Sequence, residues 1–192
     1  AYDNEIAIDT ETTGLSLFRD RLCLIQFALT KDECHMVLFE EQSLRSSSKP
    51  EIEKILSNSK IEKIFHYARF DVAMIKKFLG IDIENIFCTK IASKLVRTYT
   101  DKHGLKDLCK ELLNVDLNKS QQSSDWSSEI LSDNQIKYAS HDVIYLSDLK
   151  HKLEKMLKRE GRMDIAKSIF NFLPTRIELD FLDWYNICLL YT

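Results

Sequence analysis

The chain has 192 residues, 44% of them hydrophobic, with four Gly, two Pro and a formal net charge of −3. That size and composition supply one domain with a proper core and exclude a loop-rich or disordered protein. The charge excludes binding of nucleic acid through bulk basicity, and no stretch approaches the roughly 18 to 20 apolar residues of a membrane span.

In chain order, the first informative stretch is residues 6–14, I-A-I-D-T-E-T-T-G, an apolar run that ends in two carboxylates. Side chains on a strand alternate, so Asp9 and Glu11 share a face. Neighbouring like charges raise each other's pKa unless a cation lies between them, and a divalent ion is the usual answer. Alone, D-x-E fits equally a polar strand end running into a turn at Thr13 and Gly14. Residues 21–29 and 34–39 read as two further strands of an antiparallel meander. Residues 41–50 read as a surface loop centred on three serines, with Pro50 in the first turn of a helix carrying Ile52, Ile55 and Leu56.

Residues 63–66 read as a short buried strand. From Phe70 the period becomes helical through Val72, Ile75, Phe78 and Leu79, and Gly80 ends the element. Asp71 therefore falls in a first helical turn after a strand, where an acid also suits the helix dipole. A last strand at 86–88, a helix at 89–96, a polar connection at 97–104 and an amphipathic helix at 105–113 follow. Residues 118–128 form a Ser- and Gln-rich loop that Trp126 is expected to hold down. Ser132 and Asp133 cap one long helix reaching about Leu157, and two more helices divide at Pro174. The apolar C-terminal segment, with Phe181, Trp184, Tyr185 and Leu190, is expected to pack into the core or a subunit interface. Strands first and helices later give α+β or an α/β/α sandwich on one mixed sheet.

Five scattered cysteines without a C-x-x-C pair favour reduced core thiols over a zinc site or a disulfide framework, and the reading is cytoplasmic. Residues 60–110 carry eleven Lys and Arg against six Asp and Glu, which suits a local phosphate-binding surface and, as well, ordinary solvated helix faces.

On the long helix, Tyr138 and Asp142 lie four residues apart and share a face. With Asp9, Glu11 and Asp71 they make four carboxylates and a phenol. Four negative charges in one cleft need two divalent ions to neutralise them, the layout of a two-metal phosphoryl-transfer site.

The segments I-D-T-E-T-T-G, F-H-Y-A-R-F-D and Y-A-S-H-D resemble the three motifs of the DEDDy 3′-to-5′ exonucleases of ribonuclease D type. R-D-R-L-C-L-I-Q, H-G-L-K-D-L-C-K-E-L-L and S-D-W extend the likeness over nearly the whole chain. Cys88 stands where ribonuclease D usually has Asp. That segment, with R-T-Y-T-D-K-H-G-L and Q-Q-S-S-D-W, resembles the single-domain nano-RNase C type, which degrades very short RNAs and assembles as an octameric ring.

The resemblance implies a ribonuclease H-like α/β/α sandwich with a mixed, roughly five-stranded sheet and a helical C-terminal part. It implies one exonuclease domain over 1–192, without the C-terminal helical nucleic-acid-binding domain of ribonuclease D. Asp9, Glu11, Asp71 and Asp142 would hold two Mg²⁺ or Mn²⁺ ions, and Tyr138 would orient the attacking water and help deprotonate it. The partners would be short RNA, dinucleotides above all, and further copies of the chain in a homo-oligomer. Candidate substrate contacts are Thr10, Gly14, Leu15, His66, Lys90, Arg97, His103 and Gln122. Leu15 fits a wedge against a base or a core leucine; His66 fits a substrate contact or a core histidine. DNA as substrate, and an inactive RNA-binding protein of the same fold, are the competing readings.

Overall fold

The computed structural model describes residues 4–39, 49–117 and 124–185. Five strands form one mixed sheet: β1 (Glu5–Thr12), β2 (Leu22–Thr30), β3 (Glu33–Leu38), β4 (Glu62–Phe65) and β5 (Ile86–Cys88), ordered β3-β2-β1-β4-β5. β1, β2 and β3 run as the expected antiparallel meander, and β4 and β5 add parallel to β1. The first seven residues of β2 are all buried, as expected where both faces of a sheet are covered, whereas edge strand β3 exposes Glu33, His35 and Leu38 and buries Cys34, Met36 and Val37 only in part.

Helix α1 (Lys49–Leu56) buries Ile52 and Leu56. Helix α2 (Ala68–Leu79) packs against β2, β4 and β5 and ends at Gly80 in the left-handed conformation (φ 66°), which only a residue without a Cβ adopts freely. It begins two residues before the expected Phe70, because Tyr67 turns left-handed and starts it early. Helix α3 (Thr89–Val96) follows β5. The amphipathic segment after it is α-helical only in α4 (Leu105–Leu108); Cys109–Leu113 continues as a π-helical turn.

Two helical expectations are corrected. The helix expected to run unbroken to about Leu157 divides at Tyr145 into α5 (Asp133–Ile144) and α6 (Leu146–Arg159). α5 lies on β1, β2 and β3, and α6 lies on α3, β1, β4 and the π turn, so the chain redirects to serve two packing surfaces while its apolar period continues. Conversely, Pro174 does not divide a helix: α7 runs Met163–Phe181 through it. Burial of Ala166, Phe170, Leu173 and Ile177 along one side offsets the lost backbone hydrogen bond, roughly 3 kcal/mol in an isolated helix.

Cys23, Cys88 and Cys109 are buried free thiols and Cys34 is a half-buried one; Cys188 lies outside the described residues. Among the described residues no helix is long and apolar enough to cross a membrane. The loop expected at 41–50 lies mostly outside the described residues.

Candidate active site

Central strand β1 ends at the site. Asp9 and Glu11 point to the face covered by α5, and a register irregularity between Glu11 and Thr12 bends the strand end there, a common device for aiming a side chain. Thr10 points to the opposite face, where its Oγ1 donates to Asp71 Oδ1 at 2.6 Å. Asp71, in the first turn of α2, is thereby fixed to the strand that carries Asp9.

Tyr138 and Asp142 come from α5, anchored at its start by a capping box: the Ser132 side chain accepts from the Gln135 N–H, and the Gln135 side chain accepts from the Ser132 N–H. The Gln135 amide also donates to the Asp125 carbonyl at 3.0 Å. This ties down the neighbouring Trp126, whose ring centroid lies 6.0 Å from that of Tyr138.

Carboxylate oxygens of Asp9, Glu11 and Asp142 all lie within 4.8 Å of one another. Asp71 stands just outside that trio. Burial and then the charges of Asp71, Asp142 and Glu11 push Asp9 well above the usual carboxylate range. Burial, followed by Asp142 and Asp71, pushes Glu11 up to about 9. Asp71 rises to about 7, mainly by burial, against the pull of its Thr10 hydrogen bond. Burial and then Asp142 and Glu11 raise Tyr138 too, so its phenol keeps its proton. An all-oxygen, anionic donor set whose charges are mutually unstable fits a hard divalent cation.

The site opens into a cleft of about 730 Å³. Thr10, Gly14, Leu15, His66 and Lys90 line it together with the five acid and phenol residues. Gly14 is required by close approach, since a Cβ there would meet the Asp20 carboxylate at 2.4 Å. Leu15 is 84% exposed at the rim, which removes its reading as a core leucine. His66 is half-buried, with Nδ1 3.0 Å from the Thr89 hydroxyl. That hydroxyl donates its one proton to the Phe65 carbonyl, so His66 Nδ1 is the donor of the pair.

Two expected phosphate contacts are corrected. Arg97 is fully buried; its guanidinium pairs with Glu111 and donates to the Ser93 hydroxyl and the Lys102 carbonyl, where it holds a loop instead of facing the cleft. His103 lies against the same Ser93 at 2.8 Å and does not line the cleft. Gln122 lies outside the described residues. Cleft residues not anticipated include Tyr67, Phe70 and Lys106. Tyr67 has φ 72° and ψ 41°, and Lys90 Nζ sits 4.1 Å above its ring. An aromatic between a strand and a helix was the available signal, but only the backbone conformation turns its ring outward.

A mixed sheet layered between helices, with carboxylates gathered where its central strand ends, is the ribonuclease H-like fold. The chain belongs to the 3′-5′ exonuclease family, whose model matches residues 1–158. It is 34% identical over 150 residues to DNA polymerase I of Aquifex aeolicus, covering 78% of this chain and 24% of that protein. Ribonuclease D of Gluconacetobacter diazotrophicus is 31% identical over 163 residues, covering 85% of this chain and 40% of the relative. The chain thus spans less than half the length of these two curated relatives. Among solved structures, Brucella melitensis NrnC bound to pGG superposes with a TM-score of 0.91 at 46% identity, over 97% of this chain and 89% of that one. The Mg²⁺-bound form of the same nuclease gives 0.90 at 45%, over 97% and 90%.

Proposed function

We propose that this chain is a divalent-metal-dependent 3′-to-5′ exoribonuclease that hydrolyses short single-stranded RNA, dinucleotides above all, to nucleoside 5′-monophosphates. The observation that carries the reading is the convergence of Asp9, Glu11, Asp71, Asp142 and Tyr138 from β1, α2 and α5 on one open cleft, with Asp9, Glu11 and Asp71 each held above the ordinary carboxylate range by burial and by neighbouring acids. The likeness to a nuclease solved with pGG supports the substrate class. A cleft of about 730 Å³ is in the size range of small-ligand sites and suits a short oligonucleotide better than a long duplex.

Asp9, Glu11, Asp71 and Asp142 would hold two Mg²⁺ or Mn²⁺ ions. When bound, such ions neutralise the carboxylates, polarise the phosphoryl group and acidify the attacking water. Tyr138 would hydrogen-bond to this water and orient it, with Trp126 packed near the phenol ring. Leu15 at the rim and Tyr67 with Lys90 across the cleft offer apolar and cationic surface to base and phosphate. The working state is a cytoplasmic homo-oligomer, an octameric ring by resemblance to nano-RNase C.

A 3′-to-5′ exonuclease acting on DNA is the second reading, favoured by the likeness to a DNA polymerase I. An inactive RNA-binding protein is disfavoured because all five acid and phenol residues are present. The test is cleavage of a labelled diribonucleotide, a longer single-stranded RNA and a duplex DNA, each with Mg²⁺ and with EDTA. Mg²⁺-dependent loss of the dinucleotide ahead of the others supports the proposal. A surviving dinucleotide beside trimmed RNA or DNA supports a processing nuclease, and no cleavage supports the binding protein.

A further inference from the structure

Strand β2 carries one polar side chain among its fully buried positions, Gln26, which is 0% exposed. A leucine or methionine would fill this space without polar atoms to desolvate. Instead both amide atoms of Gln26 are buried and meet no hydrogen-bond partner in full geometry. An unsatisfied buried polar group costs about 1–3 kcal/mol, so folding alone gives no reason for an amide here. Its place in the sheet supplies one. Gln26 pairs directly with Asp9 across the β1–β2 ladder, and its neighbour two residues back, Leu24, pairs with Glu11. Directly paired residues share a face, so the Gln26 amide lies on the same face as the carboxylates and diagonal to Glu11.

We propose that Gln26 is a positioning residue for the metal-holding carboxylates: its amide N–H donates to Glu11 and fixes which carboxylate oxygen faces a cation. This rests on the metal-dependent reading above. The residue type fits the task. A glutamate would add a further negative charge to a site that already has too many, and an aliphatic side chain would leave Glu11 free to rotate. Carboxylates that hold metals are commonly oriented by such a neighbour, and removing it typically weakens binding about 10- to 100-fold.

The test is Mn²⁺ binding by the full chain, followed through the free-ion electron paramagnetic resonance signal, for wild type, Gln26→Leu and Gln26→Met, with thermal melts in EDTA. The expected result is Mn²⁺ affinity lowered about 10- to 100-fold in both variants, with melts in EDTA unchanged or raised because an orphan amide has been replaced by apolar atoms. A folded Leu or Met variant with wild-type Mn²⁺ affinity would overturn the inference and leave the nuclease reading intact. Strongly lowered melts in both variants would assign Gln26 to the core and also overturn it. Wild type that binds no Mn²⁺ would instead bring down the metal-dependent reading, and this inference with it.

Discussion

A tyrosine four residues from an aspartate on a helix is ordinary until its surroundings are specified. In the metal-free chain Tyr138 is held above the normal phenol range by burial and by Asp142 and Glu11, so it is a hydrogen-bond donor throughout the neutral range. Tyr138→Phe removes that one donor and nothing that holds a metal. Turnover should fall about 10²- to 10⁴-fold while Mn²⁺ affinity stays at the wild-type level, measured by steady-state cleavage and metal titration. Equal turnover would remove Tyr138 from the reaction. Arg97 gives the opposite case. Its charge is spent on Glu111, Ser93 and a backbone carbonyl inside the protein. Arg97→Met should therefore destabilise the fold by about 2–4 kcal/mol in urea unfolding, since it strands partners of a buried cation, with the dinucleotide KM unchanged in the folded fraction. A raised KM at wild-type stability would restore Arg97 to the phosphate contacts.

Among the elements, α2 and α7 are joined by a clamp that bears on the site. Arg69, two residues before Asp71, makes two hydrogen bonds to Asp180 at 2.6 and 2.5 Å, and Arg176 adds a third at 2.9 Å. Asp180→Asn keeps the shape and removes the charge between two arginines. It should lower stability by about 2–4 kcal/mol and lower kcat along with it, because the first turn of α2 carries Asp71. An unfolding curve matching wild type would show that the clamp is idle. The sheet, its order of elements, the C-terminal end of α2 and the start of α5 were legible from hydrophobic period, Gly80 and the Ser132 cap, because these are local signals. The five acid and phenol residues were legible because their motifs are short and ordered. What stayed hidden was set by packing across distance. The break at Tyr145 interrupts no apolar period, Pro174 is overridden by burial on either side of it, and Arg97 looks like any surface cation until Glu111 is placed beside it. Tyr67 depends on one backbone angle pair, which sequence composition does not encode.

For the whole molecule, the carboxylate cluster links stability to pH and to metal. A carboxyl raised in the folded state holds a proton that the unfolded chain has released above about pH 4. The native state then binds more protons than the unfolded state, so stability falls as pH rises, first through Asp71 near 7 and then through Glu11 near 9. A divalent ion replaces those protons as the compensating charge, and its stabilisation grows as they leave. Lys63, lowered to about 8 by burial, works the other way in the alkaline part of the range, but it does so with or without metal. The informative quantity is therefore the gap between melting temperatures in Mg²⁺ and in EDTA. It should widen from about pH 5 to about pH 9, and at a free ion concentration about 100-fold above Kd the ion contributes roughly 2.7 kcal/mol. Asp9→Asn removes the carboxylate on which the others converge. In EDTA it should melt at or above wild type, because a repelling acid is gone, and it should lose most of the Mg²⁺ increment at every pH. A gap independent of pH, or an Asp9→Asn chain much less stable than wild type in EDTA, would mean that these acids hold the fold together and do not wait for a cation.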